Sequence, residues 1–358
     1  MRILHITFTF GYGGIETMLV NIANAQKSMG HDVAIIVIEE IVEKKLVDRL
    51  HQGIRVYYSH RKHKRDLLEL GRVNYFVWKE KPNAIHLHSS AAYRLLLSPK
   101  YKHISNCTLH DMPNNANTRY IEQIPQRFTI SQSVHDALLE FKGVESIVNP
   151  NGIMPECFCS NKTHGNNGVF RIVQVSRLEY EKKGQDILIK ACEVLESKGV
   201  RNYHVDFIGD GDSMANLQQL SKLCGVSDHI SFLGAKEQNY IFQHLCDYDL
   251  FVQPSRFEGF GLTVAEAMAA KTPVLVSSGD GPEEVVDHGR YGYLFDKGNH
   301  VDLAKKIEDI INNGYDANMV DCAYQRALDL YNIKVTARNY INQYTTVRIK
   351  SRTCSLSR

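Results

Sequence analysis

Two glutamates eight residues apart, Glu258 and Glu266, are the strongest candidates for ligand-binding chemistry in the sequence. Glu258 lies in a glycine-containing loop after a short apolar run, and Glu266 lies in a helical pattern that we expect to begin at Leu262. Gly259 and Gly261 in the loop can adopt positive φ and let a ligand approach the backbone. The helix would direct unpaired N–H groups toward a phosphate. The two carboxylates could bind two hydroxyl-bearing parts of one ligand, or they could be a capping acid and a solvated helix acid.

Two cations, Arg177 and Lys183, follow another predicted strand in the same half of the chain. Lys183 precedes Gly184, where we expect a helix to begin. The planar fork of an arginine and the point charge of a lysine together suit a diphosphate. Solvated loop cations are the alternative, but the neighbouring acidic loop pattern favours a site for a phosphate-bearing ligand.

A glycine-rich turn joins the first predicted strand to the first predicted helix, at Gly11, Gly13 and Gly14. It lacks the G-x-G-x-x-G spacing and the downstream acid of a dinucleotide fingerprint, so the sequence does not support a nicotinamide cofactor. Its glycines could admit a phosphate or an acceptor group, or they could form a tight turn with no other role.

His110 directly follows a predicted strand and precedes Asp111. A single histidine is usually structural or merely exposed. Ligands of open α/β sheets bind beyond the carboxyl ends of the strands, so this position predicts that His110 lines a ligand cleft.

Two acidic pairs, Asp210/Asp212 and Asp247/Asp249, have a D-x-D spacing that can hold a divalent ion. The first pair also fits N-cap positions in a strand-to-helix turn, and the second fits the entry of an apolar strand.

The eight cysteines include no C-x-x-C pair, so we predict no structural zinc site. Cationic side chains and a helix end can neutralise a diphosphate, so we predict neither a metal nor another cofactor.

Strands and helices alternate along the chain in two blocks, which is the pattern of parallel β-α-β units. In the first block the predicted strands are Arg2–Thr9, His31–Ile38, Ala84–Leu87, Ser105–Leu109 and Arg127–Ile130. In the second block they are Phe170–Val175, His204–Ile208, His229–Phe232, Leu250–Gln253 and Pro273–Val276. A polar, Gly- and Asn-rich stretch at 148–167 separates the blocks. The sequence therefore predicts two doubly wound α/β domains.

The formal net charge of the 358 residues is only +2, but it is unevenly distributed. Residues 1–110 hold 16 Lys/Arg against 9 Asp/Glu, with basic residues concentrated at Arg55 and in the run 60–65. Such a run is typical of a solvated helix face. It could instead contact an anionic membrane, where each basic residue near the surface contributes roughly 1 kcal/mol. No aromatic stacking platform accompanies the charge, so we expect no nucleic-acid partner.

The chain resembles the GT-B glycosyltransferases of family 4, the "glycosyl transferases group 1" type, because it contains four of that family's sequence elements in the family's order. The family's elements and their matches are E-x7-E at Glu258 and Glu266, R-x5-K-G at Arg177, Lys183 and Gly184, G-G-x-E at Gly13–Glu16, and a first-domain histidine at His110. The resemblance covers nearly the whole chain and is strongest in 170–295. It implies two Rossmann-like domains facing across a cleft, with a C-terminal helix that crosses back onto the first domain.

The resemblance implies a role for each element. Arg177 and Lys183 would bind the diphosphate of a nucleotide-sugar donor, Glu258 the transferred sugar and Glu266 the ribose. The other implied donor contacts are Gly13, Gly14, Leu233, Gly234, Gly259, Phe260, Gly261, Leu262 and Thr263.

The resemblance also implies retaining transfer of a hexose-type sugar without a metal. The two cations would stabilise the leaving diphosphate, one of its oxygens would accept the acceptor proton, and His110 would position the sugar. A UDP-sugar is the favoured donor. The expected acceptor is a saccharide or a lipid-linked oligosaccharide of a bacterial capsule, O-antigen or exopolysaccharide.

Two stretches depart from the family pattern. The usual N-G-I-D turn reads Asn151–Met154, and a later Gly-rich loop reads Ser277–Glu284, which leaves the donor sugar open. A nucleotide-sugar epimerase of the same fold and a non-catalytic binding subunit are the alternatives. The four intact elements argue against the binding subunit, and an epimerase would need no acceptor.

We predict an acceptor-side domain at 1–160, a donor-binding domain at 161–330, and a C-terminal helix with a basic tail at 331–358. The longest apolar runs, such as Val33–Ile38, are strand-sized, and the first residues lack the apolar core of a signal peptide. We therefore expect a cytoplasmic protein, and leave open peripheral contact with the cytoplasmic face of the inner membrane.

Overall fold

The computed structural model describes residues 1–11, 13–61, 67–160 and 168–356, with the backbone alone at 67 and 346–356. It divides into two compact units, Met1–Gly152 with Ile333–Arg358, and Ile153–Asn332. Each unit is built on one parallel sheet in the described ranges, with seven strands in the first and six in the second. This confirms the predicted pair of α/β domains.

The first unit contains a fully parallel sheet with helices between its strands. The strands are β1 (Arg2–Thr7), β2 (Asp32–Glu39), β3 (Arg55–Arg61), β4 (Ala84–Leu87), β5 (Ser105–Leu109), β6 (Gln126–Thr129) and β7 (Ile147–Val148). The helices are α1 (Gly14–Ser28), α2 (Lys44–Val47), α3 (Leu67–Glu80), α4 (Pro99–His103) and α5 (Gln132–Lys142). The strand order is β3-β2-β1-β4-β5-β6-β7. Strand β2 is buried along Val33–Ile38, as expected of a parallel strand covered on both faces.

The second unit repeats this architecture. Its strands are β8 (Phe170–Val175), β9 (Tyr203–Ile208), β10 (Ile230–Gly234), β11 (Leu250–Gln253), β12 (Val274–Ser277) and β13 (Tyr293–Phe295). Its helices are α6 (Tyr180–Lys183), α7 (Gln185–Ser197), α8 (Met214–Leu223), α9 (Gln238–His244), α10 (Leu262–Ala269), α11 (Gly281–Val285), α12 (His300–Asn313) and α13 (Ala317–Leu330). The strand order is β10-β9-β8-β11-β12-β13. Residues of α7 and α12 such as Leu188 and Ile307 share one core with Phe207 and Val252 of the sheet.

The last helix, α14 (Ile333–Leu356), belongs to the first unit. Its Tyr340 hydroxyl lies 3.0 Å from Oγ1 of Thr108 in β5, and Asn149 Nδ2 donates to the Thr336 carbonyl at 3.2 Å. A Cβ added at Gly152 would lie 2.5 Å from Cα of Ile333. A side chain at position 152, in the turn Asn151–Met154 that departs from the family pattern, would therefore collide with the start of α14.

The structure adds elements that the sequence did not predict. β3 has the sequence Arg-Val-Tyr-Tyr-Ser-His-Arg, in which only Ser59 and Arg61 are buried, so it carries no apolar run. The basic run at 60–65 is not a helix face where it is described, because His60 and Arg61 end this strand; residues 62–65 lie outside the described residues. Among the described residues, no helix combines the length and apolarity needed to cross a bilayer.

Candidate functional site

An ion pair joins the two main motifs of the second unit. The Lys183 ammonium, at the end of α6, donates a hydrogen bond to Oε2 of Glu258, which lies in the loop between β11 and α10. The two side chains are 21% and 19% exposed. Most of the surface of each side chain is thus removed from water, and the pair brings together a cation suited to phosphate and a carboxylate suited to hydroxyl groups.

A second ion pair fixes the loop that carries Glu258. Arg256 donates from both terminal nitrogens to the two carboxylate oxygens of Asp186 in α7, each at 2.7 Å. It also donates to the Tyr180 carbonyl at 2.7 Å. A Cβ added at Gly184, which has a φ of +68°, would collide with the Pro254 carbonyl. The loop therefore lies directly against the turn that holds Lys183.

Three buried glutamines surround these motifs. Gln253 Nε2 donates to Ser255 Oγ at 2.8 Å and lies 3.4 Å from Oε2 of Glu258. Gln174 Nε2 donates to the carbonyl of Lys183 at 2.9 Å, and Gln185 Nε2 donates to the carbonyl of Arg177 at 2.8 Å. The glutamines therefore hold the backbone at both predicted cations and orient the Glu258 carboxylate.

Arg177 differs from Lys183 in its surroundings. It follows β8, its side chain is exposed, and within the described part of the chain no carboxylate lies within ion-pair distance of it. The structure thus places Arg177 and Lys183 at the same strand end, but only Lys183 is joined to Glu258.

Glu266 lies in the second turn of α10, which begins after Gly261. Burial raises the pKa of the Glu266 carboxyl to about 7. Gly261 has a φ of +96°, as the sequence predicts, whereas Gly259 does not adopt a positive φ. Thr263 Oγ1 donates to Gln253 Oε1 at 3.4 Å, which connects the start of α10 to the Glu258 loop.

The remaining predicted donor residues of this unit lie around the same strand ends. Leu233 and Gly234 end β10, and the Gly234 carbonyl accepts a hydrogen bond from Gly209 N at 3.0 Å. The Phe260 side chain is only 4% exposed and packs edge-to-face on Tyr331, with centroids 5.4 Å apart. Only the backbone at Phe260 is therefore left to contact a ligand, since its ring belongs to the core.

In the first unit, the Gly-Gly turn begins helix α1. Gly13 is the N-cap residue with an extended backbone, Gly14 is the first helical residue, and no side chain caps this end. The helix therefore starts inside the glycine-rich turn itself. Thr9 donates to Oε1 of Glu16 at 2.6 Å, so the acid of the motif fastens β1 to α1.

His110 is the last member of a chain of hydrogen-bonded side chains, which we call the histidine relay: Gln26, His5, His88 and His110. His5 Nε2 lies 2.8 Å from Gln26 Oε1, His5 Nδ1 lies 3.1 Å from His88 Nε2, and His88 Nδ1 lies 3.2 Å from His110 Nε2. Asp111 instead accepts from Met112 N at 2.8 Å, so the neighbouring acid that drew attention to His110 is not its partner.

Burial keeps the relay neutral. It lowers the pKa of His5 and of His110 to about 4, and it lowers the pKa of His88 well below its ordinary value. Because the Gln26 oxygen can only accept, the proton of neutral His5 lies on Nε2. The same reasoning places the protons of His88 and His110 on Nε2. His110 Nδ1 is thereby left as a hydrogen-bond acceptor.

The acidic pairs form ordinary structural contacts. Asp210 Oδ1 accepts from Gly211 N at 2.8 Å, and Ser213 is the N-cap residue of α8, so the predicted N-cap role of Asp210 and Asp212 is wrong. Asp249 Oδ2 accepts from Arg171 N at 2.8 Å. In the part of the chain that the structure describes, no group of three His, Cys, Asp or Glu side chains could hold a metal ion. Independence of the reaction from metal stays a prediction.

The sequence missed the glutamines and most of the relay. A signal for one relay member was present, since His86 and His88 alternate on β4 and its continuation and so point to the same side. His5 could be connected to them only through the pairing of β1 with β4. The basic surface predicted for this unit is partly neutralised, because Arg55 pairs with Asp32 and Glu80, and Arg61 pairs with Glu69.

Comparisons with known proteins agree with this arrangement. A family model described as Glycosyltransferase Family 4 matches residues 12–156, and one described as Glycosyl transferases group 1 matches residues 160–326. The chain is 25% identical to an uncharacterized glycosyltransferase of Haemophilus influenzae, over 84% of this chain and 87% of the relative. It is also 25% identical to the lipopolysaccharide core biosynthesis glycosyltransferase LpsE of Rhizobium meliloti, over 87% and 89%.

A solved structure shares the fold. The structure of Anabaena HepE in complex with UDP and glucose superposes with a TM-score of 0.80 at 21% identity, covering 96% of this chain and 99% of that one. The two family models together span nearly the whole chain, and the structure has a parallel sheet under each. The chain is a glycosyltransferase of the GT-B fold and belongs to family 4, the group 1 glycosyltransferases.

Proposed function

We propose that this glycosyltransferase transfers a hexose-type sugar, with retention of anomeric configuration, from a nucleotide-sugar donor to a saccharide or lipid-linked acceptor. A UDP-sugar is the favoured donor, and a bacterial surface polysaccharide such as capsule, O-antigen or exopolysaccharide is the expected product. The Lys183–Glu258 ion pair carries this proposal. In a nucleotide sugar the terminal phosphate is bonded directly to the sugar, so a phosphate-binding cation and a hydroxyl-binding carboxylate must lie side by side.

The reaction places new negative charge on the leaving diphosphate. As the bond between the anomeric carbon and the phosphate oxygen breaks, its electron pair leaves with the diphosphate. Lys183 and the exposed Arg177 would stabilise that charge, together with the N–H groups at the start of α10. Arg177 can move toward the ligand without first losing an internal ion pair.

The donor's hydroxyl groups would be bound by the two glutamates. Glu258 would accept hydrogen bonds from the transferred sugar, and Glu266 from the ribose. His110 would accept a sugar hydroxyl at Nδ1, the nitrogen that the relay leaves without a proton. The acceptor hydroxyl would attack from the face that the diphosphate leaves, giving its proton to a phosphate oxygen. No metal is required by this scheme.

The relatives support the choice of substrates without fixing it. LpsE is named for lipopolysaccharide core biosynthesis, and the HepE structure contains UDP and glucose. A panel of UDP-, GDP- and ADP-sugars, titrated by calorimetry, tests the donor. We expect a UDP-sugar to bind and Lys183→Ala to abolish its binding, with exposed Lys222→Ala as the matched control. Lack of binding by every UDP-sugar would overturn the donor assignment, and an inverted anomeric signal in the NMR spectrum of the product would overturn retention.

Peripheral contact of the first unit with an anionic membrane is also part of the proposal. Arg61 does not support it, because its side chain is buried against Glu69. Membrane contact is supported instead by three apolar side chains of α3 that are more than half exposed and follow helical spacing, namely Leu68, Tyr75 and Trp78. Aromatic side chains are enriched at membrane interfaces.

Sedimentation with vesicles containing anionic lipid tests this contact. We expect Tyr75→Ser with Trp78→Ser to release the protein, whereas Leu223→Ser, at an even more exposed apolar residue of the second unit, should not. Failure of the unsubstituted protein to sediment with the vesicles would refute membrane contact.

A further inference from the structure

A cavity of about 660 Å³ in the first unit is lined by charged and aromatic side chains that the proposed reaction does not use. Its lining includes Arg61, Arg94, Arg119, Glu39, Phe8 and Tyr120. The volume lies in the range of small-molecule sites. Three arginines against one glutamate give the lining an excess of positive charge.

The cavity lies at the carboxyl edge of the sheet. Phe8 follows β1, Glu39 ends β2 and Arg61 ends β3. Arg94 lies in a 3-10 helix (Ser90–Leu95) that follows β4, and the segment with Arg119 follows β5. Ligands of open α/β sheets bind at this edge.

Of the three arginines, Arg94 and Arg119 have positive charge that is not already paired with a carboxylate of the described residues. Arg61 is already neutralised, since its Nε lies 3.1 Å from Glu69 and its Nη1 3.9 Å from Glu39. Arg94 and Arg119 are exposed, and the described residues place no carboxylate within ion-pair distance of either. The cavity thus presents two guanidinium groups that have no carboxylate partner among the residues that the structure describes.

The segment that carries Arg119 is held in place by its own hydrogen bonds. Ser90 donates to the Asn117 carbonyl at 2.7 Å, and Asn117 Nδ2 donates to the Met112 carbonyl at 2.9 Å. Thr118, only 1% exposed, donates to the Asn114 carbonyl at 2.6 Å. Because this backbone is already ordered, binding at Arg119 costs less conformational entropy than binding to a mobile loop would.

We infer that this cavity binds an oxyanion, a carboxylate or a phosphate, carried by a saccharide. Arginine matches either group through paired N–H donors, and a neutral sugar would leave both guanidinium groups without a partner. The Tyr120 ring, whose centroid lies 5.6 Å from the Arg119 guanidinium carbon, also lines the cavity and adds an aromatic surface beside the charge. That the saccharide is the acceptor rests on the proposed function; the oxyanion site itself does not.

Saturation-transfer NMR tests the inference with D-glucose, D-glucuronate and glucose 1-phosphate as the observed probes. Inorganic phosphate has no carbon-bound protons, so its binding is measured by competition against glucose 1-phosphate. The full chain carrying Lys183→Ala is used, so that phosphate binding at the proposed donor site does not contribute. We expect glucuronate or glucose 1-phosphate to bind about tenfold more tightly than glucose, and the tighter of the two identifies the oxyanion. Inorganic phosphate should bind less tightly than glucose 1-phosphate if the sugar ring contributes.

The double variant Arg94→Gln/Arg119→Gln should abolish this preference, while Arg201→Gln, an exposed arginine of the second unit, should leave it unchanged. Equal binding of glucose and its acidic forms would overturn the inference, as would a preference that survives the double variant. Neither result depends on sugar transfer, so failure here is distinguishable from failure of the proposed function.

Discussion

His88 Nδ1 lies 3.2 Å from His110 Nε2, and the two imidazole rings are stacked with centroids 5.4 Å apart. His88 is in turn bonded to His5, so the proton position on His110 is set by residues that no ligand need touch. This relationship makes His88 a positioning residue for His110.

Replacing His88 with phenylalanine should lower kcat without preventing folding. The ring shape is kept, but His110 loses the acceptor that fixes its proton on Nε2. Loss of one hydrogen bond of about 1–1.5 kcal/mol corresponds to a roughly tenfold lower rate. Steady-state kinetics should show the change in kcat rather than in the donor KM. His103→Phe, at an exposed position, is the control, and an unchanged kcat for His88→Phe would remove the relay from catalysis.

Glu266 should make stability fall as the pH rises from about 4.5 to about 7. Its folded-state pKa, about 7, lies above the ordinary value of 4.5, so the folded protein retains a proton that the unfolded chain releases in this window. Glu266→Gln removes this loss. Thermal unfolding should therefore show a gain in Tm for Glu266→Gln, relative to the unsubstituted protein, that is larger at pH 7.5 than at pH 4.5. A gain that does not change with pH would contradict the raised pKa.

The Arg256–Asp186 ion pair should stabilise the Glu258 loop. Arg256→Ala leaves Asp186, which is 8% exposed, without its two guanidinium bonds. We expect a loss of about 1.5–3 kcal/mol in the free energy of unfolding by urea. Asp186→Ala/Arg256→Ala should cost less than the sum of the single variants, because the second substitution removes a partner already lost. Strict additivity would show that the two side chains do not interact.

The sequence predicted the strand-end motifs but not what supports them. Arg177, Lys183, Glu258 and Glu266 could be identified because each motif is local in the chain. Arg256 and Asp186 are 70 residues apart, and His5 and His88 are 83 apart. Such partners depend on strand order and register, which composition and periodicity do not specify.

Two predictions made from local sequence pattern differ from the structure: the backbone conformation of Gly259 and the secondary structure at the start of the basic run at 60–65. The loop sequence predicts that both Gly259 and Gly261 can take up a positive φ, but of the two only Gly261 does, because that residue turns the loop into α10. The basic run after Arg55 suggested a solvated helix face, whereas Arg61 ends a strand and is buried by its ion pair with Glu69.

The measurement that tests the account most directly is sugar transfer by Glu258→Gln and Arg177→Ala, with circular dichroism as the check on folding. The first variant removes the carboxylate paired with Lys183, and the second removes the exposed cation at the same strand end. Glu181→Gln and Arg201→Ala are the matched controls. We expect both site variants to lose transfer while the controls retain it. Unchanged transfer in either folded site variant would contradict the assignment of the donor site.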